Sequence, residues 1–175
     1  MFAGDTKIYR KINDDEDRLK LQEDLDLLHS WSDKWLLRFN AKKCKKMHLG
    51  HNNTGASYQL NNTQLDETKE EKDLVVLFTQ DCKPSKQCAK AAVRAMNCLR
   101  VVKRTFRYFD NNSFKVVYKS YVRPHLEYCV QAWCPYLRKD INAMERIQRR
   151  ATKMVPQLRY LTLYENRMKS LGIIF

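Results

Sequence analysis

The sequence is short of glycine and has no long apolar run. Glycine accounts for only 4 of the 175 residues, about 2% against a usual ~7%, and this scarcity argues against a turn-rich β-sandwich. No apolar run approaches the ~20 residues of a membrane-spanning helix, and the uncharged stretch 128–137 contains Gln131 and Pro135. The first residues have neither the basic nor the apolar segment of a secretory signal. We therefore expect an intracellular protein, nuclear or cytoplasmic, with no membrane partner.

Closely spaced cysteine pairs are also missing. The six cysteines are scattered along the chain, so we expect reduced thiols and no disulfide framework. Cys44, His48 and His51 lie within eight residues of each other, but Cys82 has no partner at finger spacing, and a structural zinc site needs four ligands. We interpret the three as a buried cysteine and two loop histidines. With no P-loop, HExxH motif or Ser-His-Asp order, the sequence does not resemble a hydrolase.

Positive charge, by contrast, is abundant and unevenly distributed. The formal net charge is +13. The first 81 residues carry 13 Lys and Arg against 15 Asp and Glu, a net charge of −2, and the remaining 94 carry 20 against 5, a net charge of +15. A field of that size attracts polyanions, of which nucleic acid is the usual one. A solubilising surface, or a helix face that pairs with an acidic protein, is the alternative.

The first part of the chain mixes strand and helix patterns. Residues 6–12 alternate as a short strand does, and Asn13 and Asp14 then cap a helix over 14–35. Strands are predicted at 44–49 and 74–78, and a small hairpin at 58–65 turns at Asn61 and Asn62. We expect one apolar stripe of the helix to face the core; it consists of Leu21, Leu25, Leu28, Trp31 and Trp35.

The pattern becomes helical near residue 81, where the charge also changes sign. Helices are predicted at 84–108, 113–122, 139–154 and 161–171. Asp110 caps the second of these and Gly172 ends the last, while Pro124 restarts or kinks the chain. The length corresponds to one domain of ~150 residues or to one with a tail. The fold class is therefore α+β, with one region at 1–81 and an all-helical region at 82–175.

The helix predicted at 139–154 separates an apolar face from a cationic one. At 100° per residue, its apolar side chains cluster on one side and four cations cluster roughly 130° away. The apolar set is Ile141, Met144, Ile147, Ala151 and Met154, and the cationic set is Arg146, Arg149, Arg150 and Lys153. Like charges at this spacing repel one another, and an anionic partner removes that cost. The pattern favours phosphate contact over a merely solvated face.

Several motifs occur in the order and spacing of one protein family. Residues 2–7 read Phe-Ala-Gly-Asp-Thr-Lys, residues 31–35 read Trp-Ser-Asp-Lys-Trp, and Asn40 precedes Lys43-Cys44. Glu-Lys-Asp-Leu at 71–74 and Tyr-Val-Arg-Pro-His-Leu-Glu-Tyr-Cys-Val-Gln-Ala-Trp at 121–133 follow. This series resembles the C-terminal part of the reverse transcriptases of non-LTR (LINE-type) retrotransposons. The resemblance implies a partial palm at 1–81, with short antiparallel strands and one long helix, and a basic thumb at 82–175.

The same resemblance implies that the polymerase site is incomplete. In the family, two Mg²⁺ ions are held by one carboxylate from an earlier palm strand and two from an Asp-Asp pair. Gly4 takes the first position of that pair and only Asp5 remains, so we expect no metal and no other cofactor. Lys43 matches a palm lysine that protonates leaving pyrophosphate, a role that is idle without metals. Val75 replaces the glycine of a Leu-Gly-Val segment near the primer grip.

We therefore expect a catalytically inactive remnant of an RNA-directed DNA polymerase that still binds RNA, DNA or their hybrid non-specifically. The alternatives are a basic module for an acidic protein, a polymerase subunit completed by another chain, and the functionless product of a decayed mobile element. The main candidates for phosphate contact are Arg146, Arg149, Arg150 and Lys153, and the secondary candidates are Lys86, Lys90 and Arg94.

Overall fold

Helices and short strands together form two compact units. The computed structural model describes residues 6–50, 53, 55–161 and 163–172. One unit comprises Met1–Glu71 and Thr79–Cys82, and the other comprises Lys72–Phe78 and Lys83–Phe175. The described residues are 56% helix and 10% strand, so the α+β class expected from the sequence is confirmed in general terms. Contacts group residues 72–78 with the helical unit, whereas the sequence placed them with the first region.

The first unit is organised around helix α1, Asp15–Lys34. Asp14 caps it, because its side chain accepts a hydrogen bond of 2.9 Å from the backbone N–H of Asp17. The helix predicted at 14–35 is thus confirmed. Gln22 attaches α1 to the strands: its Nε2 donates to the carbonyl of Gln59, and its Oε1 accepts from the Gln59 N–H, both at 3.0 Å.

Four two-residue strands complete this unit: β1 (Lys45–Lys46), β2 (Gln59–Leu60), β3 (Thr63–Gln64) and β4 (Asp66–Glu67). Strands β2 and β3 are antiparallel, whereas β1 and β4 are parallel. The β2–β3 turn contains Asn61 and Asn62 at φ values of +50° and +55°, which is the positive-φ geometry of a type I′ hairpin. The hairpin predicted around these two asparagines is therefore confirmed.

One expectation for the first unit is wrong and two are only partly right. Residues 6–12 are described and form no strand, because an isolated segment has no ladder to join; Arg10 instead pairs with Asp24 of α1 at 2.8 Å. The strand predicted at 44–49 shrinks to β1. The apolar stripe packs only in part, since Trp31 and Trp35 remain 47% and 61% exposed.

The small core of this unit explains why that stripe is incomplete. Its buried members are Tyr58, Leu60 and Leu65, and the α1 side chains that pack on them are Leu21 and Leu25. Near the end of α1, Ser32 is buried, but the apolar cluster does not extend over the two tryptophans.

A hairpin of β5 (Glu70–Asp73) and β6 (Val76–Thr79) leads towards the helices. Leu74 and Val75 form its turn, with φ values of +43° and +73°. The strand predicted at 74–78 is therefore wrong at its start, because Leu74 and Val75 form a two-residue loop of type I′, which has positive φ at both positions. Val75 adopts a backbone conformation that favours glycine and is unusual for a β-branched residue. The buried Val76 side chain packs against Cys88, Ala91 and Trp133.

The second unit is helical. Its helices are α2 (Ser85–Thr105), α3 (Asn111–Val117), α4 (Arg123–Glu127), α5 (Val130–Trp133), α6 (Arg138–Thr152) and α7 (Tyr164–Leu171). Helices α2, α3, α6 and α7 correspond to the four predicted helices apart from their ends, whereas α5 was not predicted. Gly172 ends α7 in the left-handed region at φ +58°, as expected. Among the described residues, no helix combines the length and the apolar character that crossing a membrane requires.

Helices α3 and α4 are joined without a break by a π-helical turn, Tyr118–Val122. Asp110 caps α3 by accepting the Ser113 N–H at 2.9 Å. Pro124 lies in the first turn of α4, where its missing N–H removes little from the hydrogen-bonding ladder. Of the two outcomes left open for Pro124, a restart does not describe the structure, because helical backbone continues through it and the irregularity is the wider π turn just before it.

Helices α2 and α6 run parallel, side by side. Ser85 at the start of α2 donates through Oγ to Asp140 near the start of α6, at 2.6 Å. Further along, Ala95 and Leu99 of α2 share one buried cluster with Ile147 and Ala151 of α6. The two helices therefore end at the same side of the unit, a placement that decides where their cations lie.

Aromatic side chains fill the centre of the same cluster. Phe114 and Tyr118 are almost fully buried and stack with ring centroids 5.9 Å apart. Phe109 meets Phe114 edge to face at 5.4 Å. Such pairs add ~0.5–1.5 kcal/mol beyond the area that they bury.

All six cysteines lie in the described ranges, and none forms a disulfide. Cys88 is fully buried against β6, and burial, followed by the nearby Asp140 carboxyl, raises the pKa of its thiol to about 11. It is a packing residue and stays protonated near neutral pH.

Replacing Phe114 with alanine is expected to destabilise the second unit by ~3–5 kcal/mol, because the change leaves a cavity among stacked rings. Urea or thermal unfolding followed by circular dichroism measures the loss. Val116→Ala, two residues away and 65% exposed, is the matched control and should change the free energy of unfolding by less than ~0.5 kcal/mol. Equal losses in the two variants would contradict the packing described above.

Val75→Gly is expected to stabilise the β5–β6 hairpin by about 1 kcal/mol, since glycine relieves the positive-φ strain of a β-branched residue. Val75→Asn should give a smaller gain, because asparagine tolerates the left-handed region. Val75→Ala keeps the strain and is the control. A lower melting temperature for the glycine and asparagine variants than for the parent would show that Val75 is unstrained.

Candidate nucleic-acid interface

Helix α6 exposes all four cations that the sequence places on one of its faces. Arg146, Arg149, Arg150 and Lys153 point to solvent, while Ile147 and Ala151 lie in the core. The predicted apolar residues Ile141, Met144 and Met154 are half-buried at the edges of the core. The two faces that a helical wheel separates are thus separated in the fold.

A groove between the last turns of α2 and α6 collects cations from both helices. We call it the α2–α6 groove; it has a volume of about 160 Å³. Its cationic lining residues are Arg100, Lys103, Arg150, Lys153 and Arg159. Its apolar lining residues are Met96, Leu99 and Met154. None of the described residues that line it is acidic, so the groove is a concentrated site of positive charge over an apolar floor.

Backbone and side-chain contacts hold parts of this lining in place. The Nε of Arg159 donates to the carbonyl of Lys153 at 3.2 Å, and so satisfies a carbonyl at the end of α6 that has no partner within the helix. Arg100 donates to the side-chain carbonyl of Asn97 at 3.2 Å. Each of these guanidiniums carries further N–H donors in a planar fork, which suits a phosphate oxygen.

Two opposing electrostatic effects act on the groove. Because α2 and α6 both end there, two negative helix-dipole ends attract cations, each by ~0.3–1 kcal/mol. Five cations around a single groove, however, repel one another, and those three residues apart do so by a few tenths of a kcal/mol. The attraction of the helix dipoles offsets part of the repulsion among the cations. An anion bound between the helices would offset the rest of that repulsion.

A second cleft, of about 390 Å³, lies between α6 and α7. Arg149 lies 5.3 Å from the ring centroid of Tyr164 and pairs with Glu145 at 2.7 Å. Tyr164 donates its hydroxyl to Oε1 of Gln148 at 2.5 Å. Burial is the main cause that raises the pKa of Tyr164, followed by the nearby Glu145. Lys153 lines this cleft as well as the groove. The positive charge of the cleft is weaker than that of the groove, because Glu145 partly neutralises Arg149.

The secondary candidates on α2 lie away from the groove. Lys86, Lys90 and Arg94 are not among its lining residues. Arg94 and Lys103 are nine residues apart, which turns them about 180° away from each other on the helix. These three residues therefore do not belong to the groove, and they stay predicted candidates for phosphate contact elsewhere on α2.

Sequence reasoning missed the α2 half of the groove and Arg159. Arg100 and Lys103 flank the buried Leu99 and Val102, so a helical wheel of α2 places them at the border of its buried face. A helical wheel of α2 could therefore have identified Arg100 and Lys103 as candidates. Arg159 lies beyond the end of α6, and no local pattern marks it.

The polymerase residues expected from the resemblance are only partly described. Lys43 is an exposed residue at the end of a 3₁₀ turn, Ala41–Lys43, in the first unit. Gly4 and Asp5 lie outside the described residues, as does His51 of the discarded zinc set. Of that set, Cys44 is half-buried and His48 buried. Within the described ranges, no group of three His, Cys, Asp or Glu could hold a metal ion.

No protein-family model matches this chain, and searches of the curated proteins and of the solved structures returned no significant match. Function therefore has to be inferred from residues and geometry. The α2–α6 groove is the strongest feature for that purpose, because two separate segments converge there with charge of one sign.

Proposed function

We propose that this chain is a catalytically inactive remnant of a non-LTR retrotransposon reverse transcriptase whose helical unit binds nucleic acid without sequence specificity. The observation that carries the binding proposal is the α2–α6 groove, with five cations and no acidic residue among its described lining. The proposed origin, a partial palm followed by a thumb, rests on the motifs quoted from the sequence.

Phosphate contact accounts for the composition of the groove. Lysine and arginine side chains that neutralise phosphates release condensed counterions, and this release supplies most of the free energy of non-specific binding. Base-specific readout instead needs side chains presented to base edges by an element that fits a groove of the duplex. The groove lining is cationic and apolar, so we infer RNA, DNA or their hybrid as ligand, recognised through the backbone.

Inactivity follows from the carboxylates that the family's chemistry needs. In the quoted motif, glycine stands at position 4 where the family has its first aspartate, and Asp5 is the one carboxylate left in the pair. A glycine has no metal ligand, so this pair does not fit a two-metal site. We therefore assign no metal or other cofactor to the chain, and Lys43 has no leaving group to protonate. The proposed compartment is intracellular, nucleus or cytoplasm, where such a ligand is present.

Binding to a fluorescein-labelled RNA–DNA hybrid, measured by anisotropy, should weaken steeply with salt. Five phosphate contacts predict an affinity loss of roughly 100- to 500-fold between 50 and 200 mM NaCl. Arg150→Gln should lower the slope of log K against log salt by about one. Arg138→Gln, which also removes one exposed arginine but at the opposite end of α6 from the groove, is the matched control and should change the slope much less.

Competition identifies the kind of polyanion. Unlabelled hybrid should displace the probe at far lower charge concentration than poly-glutamate does. Equal displacement by poly-glutamate would favour a module for acidic proteins, and an affinity that does not change with salt would rule out phosphate contact altogether.

Primer extension tests the claim of inactivity. The chain, incubated with a primed RNA template, deoxynucleotides and Mg²⁺, is expected to give no extended product, because position 4 offers no carboxylate to a metal. An active reverse transcriptase on the same primer and template is the positive control. Extension by this chain would overturn the assignment as an inactive remnant.

A further inference from the structure

Two tyrosines of the second unit lie outside its core and are almost fully exposed. Tyr108 and Tyr160 are each 88% exposed. A tyrosine buries its ring wherever packing allows, because the ring carries a large apolar area. Two rings left in water on a strongly cationic unit are therefore open platforms for another flat ring.

Both tyrosines lie close to the α2–α6 groove along the chain. Tyr160 directly follows Arg159, which lines the groove and is tied to the end of α6 through the carbonyl of Lys153. Tyr108 is five residues beyond Lys103 of the groove, so the intervening chain spans at most ~18 Å. Because α2 and α6 are parallel, the segments that carry the two tyrosines leave the helix pair at the same end.

The shape of the groove suits one strand better than two. Its volume of about 160 Å³ lies between two helices in direct contact, with cations on both walls. A single phosphate chain can lie between these walls and meet cations from either side. A duplex carries its two backbones on a wide convex surface, separated by grooves ~6 and ~12 Å across, so it would touch only the rims.

We propose that the α2–α6 groove binds single-stranded nucleic acid, with phosphates held between α2 and α6 and an unpaired base stacked on Tyr160, and a second on Tyr108. Stacking on aromatic side chains beside a cationic groove is a sequence-tolerant way of holding single strands. This inference rests on the nucleic-acid binding proposed above and adds which form of nucleic acid is preferred.

The test compares labelled oligonucleotides of equal phosphate number by anisotropy: oligo(dT), oligo(U), a DNA hairpin duplex and an abasic deoxyribose-phosphate chain. The intact chain should bind both single strands at least tenfold more tightly than the hairpin. Tyr160→Ala should weaken binding of the single strands by about 5- to 150-fold, the range for loss of one stacked base. It should leave the affinities for the abasic chain and the hairpin unchanged.

Matched variants separate stacking from charge and from folding. Tyr160→Phe keeps the flat ring and should bind as the parent does. Tyr136→Ala removes a tyrosine that is 64% exposed just before α6, and should have no effect, since the twelve residues from Arg138 to Arg150 put it ~18 Å from the groove. The salt slope for oligo(dT) should stay the same in Tyr160→Ala, because no phosphate contact is lost, and should fall by about 0.7 in Arg150→Gln.

The two proposals fail in different ways. Equal or tighter binding of the hairpin, or a Tyr160→Ala variant that binds single strands normally, overturns the single-strand inference and leaves nucleic-acid binding intact. Failure of every oligonucleotide to bind with a negative salt slope overturns both. A preference for oligo(U) or for oligo(dT) identifies RNA or DNA as the ligand and supports the inference in either case.

Discussion

The parallel packing of α2 against α6 is the contact on which the rest of the helical unit depends. Small side chains of α2, such as Ala95, let α6 approach closely, and the spacing of packed helices is set by the side chains at their contact. The Ser85–Asp140 hydrogen bond holds the first turns of the two helices beside each other. Because both helices then run the same way, their last turns, which carry most of the nearby cations, end beside each other.

That arrangement has an electrostatic consequence that an antiparallel pair would not have. Two C-terminal dipole ends and the capping contact of Arg159 make the junction tolerant of positive charge. The positive charge of the five cations is nevertheless larger than the partial negative charge at the two helix ends. A groove of this kind is stable in a folded chain and still attracts an anion, which is the combination that a non-specific nucleic-acid site requires.

In the first unit, by contrast, a helix that the sequence specifies well is only partly buried. Its helix α1 is well specified by an N-cap and an acidic first turn, but the apolar cluster that it packs on is small. With three buried hydrophobic residues to pack on, α1 leaves Trp31 and Trp35 in solvent. A good amphipathic pattern therefore says which face of a helix can be buried, and the size of the apolar cluster that it packs on decides how much of that face is buried.

Features that depend on neighbours a few residues away could be predicted from the sequence. These include the caps at Asp14 and Asp110, the asparagine turn of the β2–β3 hairpin and the cationic face of α6, since each follows from local hydrogen bonds or helical periodicity. Other features depend on the tertiary structure and could not be predicted in this way. Residues 6–12 needed a partner strand, Val75 became a turn residue through β5–β6 pairing, and Arg100, Lys103 and Arg159 became one site because α2 and α6 are parallel. Each of these outcomes depends on contacts between segments far apart in the chain, and local periodicity carries no information about such contacts.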